Sequence, residues 1–327
     1  MGCSRLLLGA ALLGSLGFAA SAGHDWATPA AVFRSLAGDD SLQSQLLITW
    51  RYPRILAAAL VGALLGLGGA IFQGVFRNPL AEPYLLGSSG GAAVGATIAL
   101  LMPMGLPSQW LLAGLSFLGA WGATWLVLLV GGWRRGADAA HLLLAGVAIA
   151  AMLGAVRSFM MLALSDDTMN LQAVLSWTLG GIQTPSWWGL LLLGGLTVVA
   201  LAAVMTLAHG LDLLGLGDEQ AHAFGLQPER FVRWAVLIAS AVVAVAVAWG
   251  GLVAFVGLIA PHVARWRCGP RHRRLLPESA AIGAILVVLC DGLARSVLPP
   301  AEIPLGLITA VFGGPFFLFV LARRRRP

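Results

Sequence analysis

The run from Leu214 to Arg233, between two long apolar blocks, holds the densest set of groups in this chain that could grip a second protein. Gly217, Asp218, Glu219, Ala221, Phe224 and Gly225 read as a short helix outside a membrane. Asp218 is the expected N-cap, Glu219 adds an acid to the first turn, Gly225 suits a left-handed stop and Pro228 blocks continuation. Ala221 and Phe224, three apart, give that helix one small apolar face. A connection that serves only its own chain is typically about 4 to 6 polar residues and has no need of such a face. The expected chemistry is docking, against the plainer reading of a loop that packs on its own chain.

Four further sets carry chemical potential. Arg51 and Arg54 open one apolar block and Arg295 closes another. They suit charge-assisted pairing with acidic side chains of a partner, or equally local pairing with lipid headgroups or with Asp291, one turn from Arg295. Asn78 and Pro79, followed by Ser88, Ser89 and Gly90, interrupt the apolar pattern with a turn and a serine-capped helix start. Such a break lines a water-filled path or is a tight turn. Pro261 and His262 read as the end of an apolar segment, where His262 is a gate or relay, or caps the last carbonyls. Arg157 with Asp166 and Asp167 is an intramembrane relay, or a helix-end arginine reaching for water.

Other chemistry is excluded. All 20 basic residues are Arg, and a Walker A loop needs a Lys on the β- and γ-phosphates, so the chain is no P-loop ATPase by itself. Cys3, Cys268 and Cys290 have neither zinc-ligand nor disulfide-framework spacing. No catalytic triad, HExxH helix or paired-carboxylate motif is present, so catalytic and metal sites are expected to be absent.

The elements that must position these groups are membrane helices. The chain has 327 residues, 59% of them hydrophobic and 10% charged, far from the roughly 25% charged residues of soluble domains. The 42 glycines suit close helix packing in lipid. Apolar blocks fall at 6–22, 53–76, 86–102, 110–131, 140–164, 187–208, 232–249, 252–264, 279–297 and 304–322, ten in all. The fold expected is therefore all-α, a single transmembrane domain over 1–327 with an inner loop at about 209–231. The first block also imitates a secretory signal ending at Ala20-Ser21-Ala22, and 30–36 is a possible amphipathic piece. Trp177, Trp187 and Trp188 suit an interfacial belt.

Placing the N-terminus inside assigns Arg5, Arg77, Arg134, Arg135, Arg230, Arg233, Arg265, Arg267, Arg271, Arg273, Arg274 and Arg323 to Arg326 to the cytoplasm, with both termini there too. Arg34, Arg51, Arg54 and Arg295 then break the rule. The net charge of +6 is thus a topology signal, not one of nucleic-acid binding. A small echo, Gly68-Gly69 before Pro79 and Gly250-Gly251 before Pro261, is either an internal repeat or a coincidence in a glycine-rich chain.

Arg51-Tyr52-Pro53-Arg54, Arg77-Asn78-Pro79-Leu80-Ala81-Glu82-Pro83, Leu216-Gly217-Asp218-Glu219 to Gly225, Phe255-Val256-Gly257-Leu258-Ile259-Ala260-Pro261-His262, Asp291 with Arg295, Glu302-Ile303-Pro304-Leu305-Gly306 and Gly313-Gly314-Pro315 occur in this order. The set closely resembles the FecCD-type permeases, the membrane subunits of ATP-binding-cassette importers for iron-siderophores, haem and cobalamin. The resemblance is weakest over 1–50.

It implies a ten-helix, cobalamin-permease-like subunit of the type II importer class, paired as a homodimer around a central path in a bacterial inner membrane. Two separate ATPase subunits, carrying ATP and Mg²⁺, would dock inside, and a periplasmic substrate-binding protein outside, so this chain would bind no cofactor. By position, Gly217 to Gly225 resembles the coupling helix, and Arg51, Arg54 and Arg295 the patch that grips the binding protein. The resemblance also implies that the first segment is retained. The competing class is an ion-coupled secondary transporter, which needs intramembrane acids; only Asp291 and Arg157 come near. A membrane enzyme is a distant third.

Overall fold

The computed structural model describes residues 2–23, 25–102, 108–131, 139–164 and 168–324. Arg134, Arg135, Asp166, Asp167, Arg325 and Arg326 lie outside the described residues. In order the helices are α1 (Gly2–Ser21), α2 (Pro29–Leu36), α3 (Leu42–Leu46), a π-helical turn Leu47–Arg51, α4 (Tyr52–Val75), a 3-10 turn Pro83–Leu86, α5 (Ser88–Leu101), α6 (Ser108–Val130), α7 (Ala139–Leu164), α8 (Thr168–Thr178), α9 (Trp187–Leu214), α10 (Asp218–Ala223), α11 (Pro228–Gly250), α12 (Val256–Cys268), α13 (His272–Ser296) and α14 (Leu305–Arg324). The ten apolar blocks fall on α1, α4, α5, α6, α7, α9, α11, α12, α13 and α14.

Among the described residues, seven helical stretches are long and apolar enough to cross a membrane, including Leu42–Val75 as one 34-residue helix. The stretches of α1 and α5 are shorter, and α12 has 13 residues. Helices α4, α9 and α11 run between two opposite ends of the bundle. One end carries α10 and the other carries α2, and at 1.5 Å per residue the 24 residues of α4 separate them by about 36 Å. α1 finishes and α14 starts at the α2 end, so both termini of the described chain lie at the α10 end. Arg77, Arg230, Arg233, Arg265, Arg267, Arg271, Arg273 and Arg274 gather at that end as well, while Arg34, Arg51, Arg54 and Arg295 lie at the other.

α4 is the axis of the bundle. In its most apolar window 78% of residues are buried, against 6% for α7, so α4 is packed by its own chain and α7 must be covered by lipid or another subunit. α4 lies against α13 and α11, and against α12 lower down. The closeness depends on missing side chains: a Cβ on Gly62 would strike the Gly283 carbonyl, and one on Gly69 the Gly257 carbonyl.

Several boundaries moved from their sequence-based positions. α12 does not stop at His262; it continues to Cys268 with Pro261 inside it. Pro261 has no N–H for the Gly257 carbonyl, four residues earlier, which should leave that acceptor bare. Gln73, 2% exposed on α4, fills the gap. Its Nε2 donates to Gly257 O at 3.5 Å and Leu258 O at 3.2 Å, and Arg265 Nη1 donates to its Oε1 at 3.1 Å. We expect Gln73→Leu to cost about 1–3 kcal/mol by orphaning these groups, read as a fall in thermal stability in detergent; a Gln73→Leu protein melting with the wild type would refute it.

The Gly/Pro echo is not a structural repeat. Gly68 and Gly69 lie inside α4 while Gly250 and Gly251 end α11, and Pro79 sits in a turn while Pro261 is helical. The loop expected at about 209–231 is narrower, since α9 reaches Leu214 and α11 begins at Pro228. Trp187 and Trp188 are exposed at the α2 end, as an interfacial belt requires, but Trp177 is buried on α8.

Candidate coupling and docking sites

At the α10 end, six residues form the helix Asp218–Ala223. Its N-cap position is Gly217, at φ 112°, a region that glycine enters freely. Asp218 is therefore the first helical residue rather than the cap, and its carboxylate pairs with Arg77. Gly225, at φ 84°, ends the helix as expected: Gly225 N donates to His222 O and Leu226 N to Ala221 O, the paired bonds of a Schellman stop.

Ala221 and Phe224 do not share a face. Ala221 is fully buried against its own chain, whereas Phe224 is 68% exposed. The helix ends one residue short of Phe224, so this side chain departs from the cap and stands into solvent, the most prominent apolar group on α10. Glu219, in the first turn of α10, is exposed as well.

α10 is tied to the end of α4. The chain leaves α4 through the same kind of stop, with Arg77 N donating to Gly74 O and Asn78 N to Gln73 O, but here the left-handed residue is Arg77, at φ 48°. A side chain costs energy in that position, and Arg77 spends its guanidinium on Asp218. On the α9 side, Asp212 Oδ1 accepts from the backbone N of His272 at 2.9 Å and lies 2.7 Å from its Nδ1, pinning the start of α13 to the end of α9.

Asn78 and Pro79 form the turn past Arg77, with Asn78 Oδ1 accepting from Leu80 N at 3.0 Å. The chain then climbs back into the bundle. Glu82 Oε1 accepts from Phe255 N at 2.9 Å, and Tyr84 Oη donates to Val253 O at 3.1 Å. Phe255, at φ 66°, is the cap of α12, so the interruption before α5 and the interruption before α12 are laced together at mid-depth. Ser88 does not cap α5. That position is Gly87, and Ser88 Oγ donates to Pro83 O at 3.3 Å. Ser89 and Gly90 are half-buried in the first turn of α5. His262 lies inside α12 rather than at its end; its ring stands edge-on to Trp266 at 4.7 Å and to Phe316 of α14 at 5.7 Å. Arg157 is well inside α7 rather than at a helix end, with Nη1 donating to Thr178 Oγ1 at 3.4 Å.

At the α2 end, three of the four rule-breaking arginines, Arg51, Arg54 and Arg295, do converge, and the local reading holds for most of their hydrogen bonds. Asp291, 1% exposed, accepts from Arg54 and from Arg295. Arg295 also donates to Ala19 O and Ala22 O, and Arg51 to Ala20 O, Ser21 O and Asp25 O. Two arginines thus cap the last carbonyls of α1, where the helix dipole is negative. Arg54 reaches the surface through Glu302, at 2.9 Å. Above it, a cavity of about 500 Å³ is lined by the apolar row Leu42, Leu46 and Trp50 together with Arg51, Arg54 and Glu302. In the adjoining loop, hydroxyl hydrogen bonds from Ser41 and Ser44 hold the Asp39 carboxyl below its ordinary value.

Among the described residues no three His, Cys, Asp or Glu come together as a metal site. Among the described residues the helix acids Asp212, Glu278 and Asp291 each have a basic partner, while Glu82 at mid-depth is held by the Phe255 N–H.

Comparison with known proteins decides the family. The FecCD transport family profile matches residues 10–323. The chain belongs to the FecCD transport family. This FecCD protein is 39% identical over 280 residues to the hemin transport system permease protein of Yersinia pestis, covering 84% of this chain and 82% of that one. It is 36% identical to the Fe(3+) dicitrate transport system permease protein of Escherichia coli, covering 86% of each. It is 38% identical to the cobalamin import system permease protein of Halobacterium salinarum, covering 84% of this chain and 73% of that one. A solved inward-facing structure of a metal-chelate-type ABC transporter matches with a TM-score of 0.84 at 28% identity, over 98% of this chain and 99% of the other.

Proposed function

We propose that this chain is the permease subunit of an ATP-binding-cassette importer that carries an iron chelate, haem or siderophore, in preference to cobalamin, across the inner membrane. The observation that carries the reading is α10, a short helix tied to Arg77 through Asp218 and followed at once by the outward-standing Phe224. It has the form of an element that transmits force from a separate protein. The haem and ferric dicitrate permeases among the relatives support the cargo class.

In this reading ten helices span the bilayer, with α10 and both termini in the cytoplasm. Two copies pair around the path, and the nearly unburied α7 is a natural contributor to that pairing. Two ATPase subunits, holding ATP and Mg²⁺, seat against Phe224, Glu219 and their surroundings, and this chain itself binds no cofactor and catalyses nothing. A periplasmic binding protein docks over the cavity beside Trp50 and Arg54, while Arg51 and Arg295 hold α1 beneath it. The Asn78–Pro79 turn, the Ser88–Gly90 helix start and the Pro261–His262 stretch form the gate region. ATP-driven closure of the ATPase pair shifts the α10 helices and switches the path between its two openings.

The test is uptake of a labelled ferric chelate into proteoliposomes holding the chain with its ATPase and binding protein. Uptake should require hydrolysable ATP and both partners. Uptake by this chain alone would overturn the proposal.

A further inference from the structure

Three helical stripes converge on one furrow. Trp110, Ala113, Gly114 and Phe117 come from α6, Leu192, Leu196, Val199, Ala200 and Ala203 from α9, and Ile238, Ala241, Val242, Val245 and Trp249 from α11. Each set follows the i, i+3, i+4, i+7 period of one helix face. The furrow has a volume of about 540 Å³ and an almost wholly apolar lining. No pathway or docking role described above uses it.

Its dimensions identify what fits. Leu192 to Ala203 spans eleven residue steps, about 16 Å at 1.5 Å each. Half of a hydrocarbon core of about 30 Å is about 15 Å, so the furrow has the depth of one leaflet. Its mouth lies at the α2 end, where Trp110 and Trp249 meet edge to face at 6.1 Å and Trp188 is exposed nearby. Indoles mark the level of lipid headgroups. Small residues, Ala113, Gly114, Ala200, Ala203 and Ala241, lie between the larger ones. We propose that this furrow is a binding site for one acyl chain of a phospholipid from the leaflet at the α2 end.

The occupant lies between α6 and α9, on the face of α11. Since α9 ends three residues before the N-cap of α10, a lodged chain braces the helix that carries the docking element. That consequence rests on the coupling reading above; the site itself does not.

Photolabelling tests the site in the full-length protein in nanodiscs, using phosphatidylethanolamine with a diazirine near the end of one acyl chain and peptide mapping by mass spectrometry. Adducts on Ala113, Phe117, Leu196 and Val199 should exceed those on Leu118, Leu191 and Val198, exposed residues of the same helices, by about fivefold, equivalent to about 1 kcal/mol of preference. Gly114→Leu should bring the furrow residues down to the comparison level. A Cβ at Gly114 meets nothing within 4 Å, so the variant is expected to fold, and an unchanged melting temperature checks that. Equal labelling of furrow and comparison residues would overturn the proposal, as would labelling unaffected in Gly114→Leu. Disulfide-linked dimers through Gly114→Cys, with lipid adducts missing from the furrow, would show a second copy in its place. None of these readouts depends on ATP or on transport, so they fail separately from the importer reading.

Discussion

Replacing Asp291 with alanine should be the most damaging single change outside the glycine contacts. Its carboxylate is 1% exposed and holds two guanidiniums, Arg54 at 3.0 Å and Arg295 at 2.9 Å. Removing it leaves two buried cations facing each other, a loss on the order of 3–5 kcal/mol. Glu302, on the exposed side of the same network, has a side chain 53% accessible. Its removal should cost about 0–1 kcal/mol because water screens the pair. Fluorescence-detected thermal unfolding in detergent should therefore show a drop on the order of 10 °C for Asp291→Ala and a few degrees at most for Glu302→Ala. Adding Arg54→Met to Asp291→Ala should recover part of the loss, since it removes one of the two like charges left facing each other. Equal melting temperatures for Asp291→Ala and wild type would show that these cations find water instead.

The second large effect concerns force transmission. Phe224→Asp should leave the melting temperature within a degree or two of wild type, because the side chain stands in solvent. As the exposed aromatic of the proposed docking surface it should be worth about 2 kcal/mol or more to the ATPase, roughly thirtyfold in affinity. Co-purification of the ATPase and chelate uptake should fall together. Asp218→Arg should weaken coupling by releasing α10 from Arg77, and the exchange Arg77→Asp with Asp218→Arg should restore part of it. Full uptake by Phe224→Asp would remove the docking role of α10.

Much of this architecture is legible in the residue order, for identifiable reasons. Span positions follow from apolar length, and the bounds of α10 from Gly225 and Pro228, whose backbone preferences act locally. The motifs add the family. What escaped reading involves partners distant in sequence. The bonds from Arg51 and Arg295 to α1 end on backbone carbonyls, which have no residue signature, so partner docking and local pairing look alike in the sequence. Gln73 went unnoticed for a similar reason. Pro261 announces that a carbonyl is bare, but the donor lies 184 residues away from Gly257. Helical spacing puts Phe224 on the face of Ala221, but the helix stops at Ala223 and the spacing rule stops with it.

The hydrogen bond from Phe255 to Glu82, with Tyr84 to Val253 beside it, has a mechanical corollary. These contacts stitch two unrelated stretches of chain into one seam halfway up the molecule, so neither segment can tilt alone without tearing a low-dielectric bond. The lower storey, α12 with the climbing turn before α5, is constrained to move as a single plate beneath an upper storey that Arg51, Arg295 and Asp291 keep rigid.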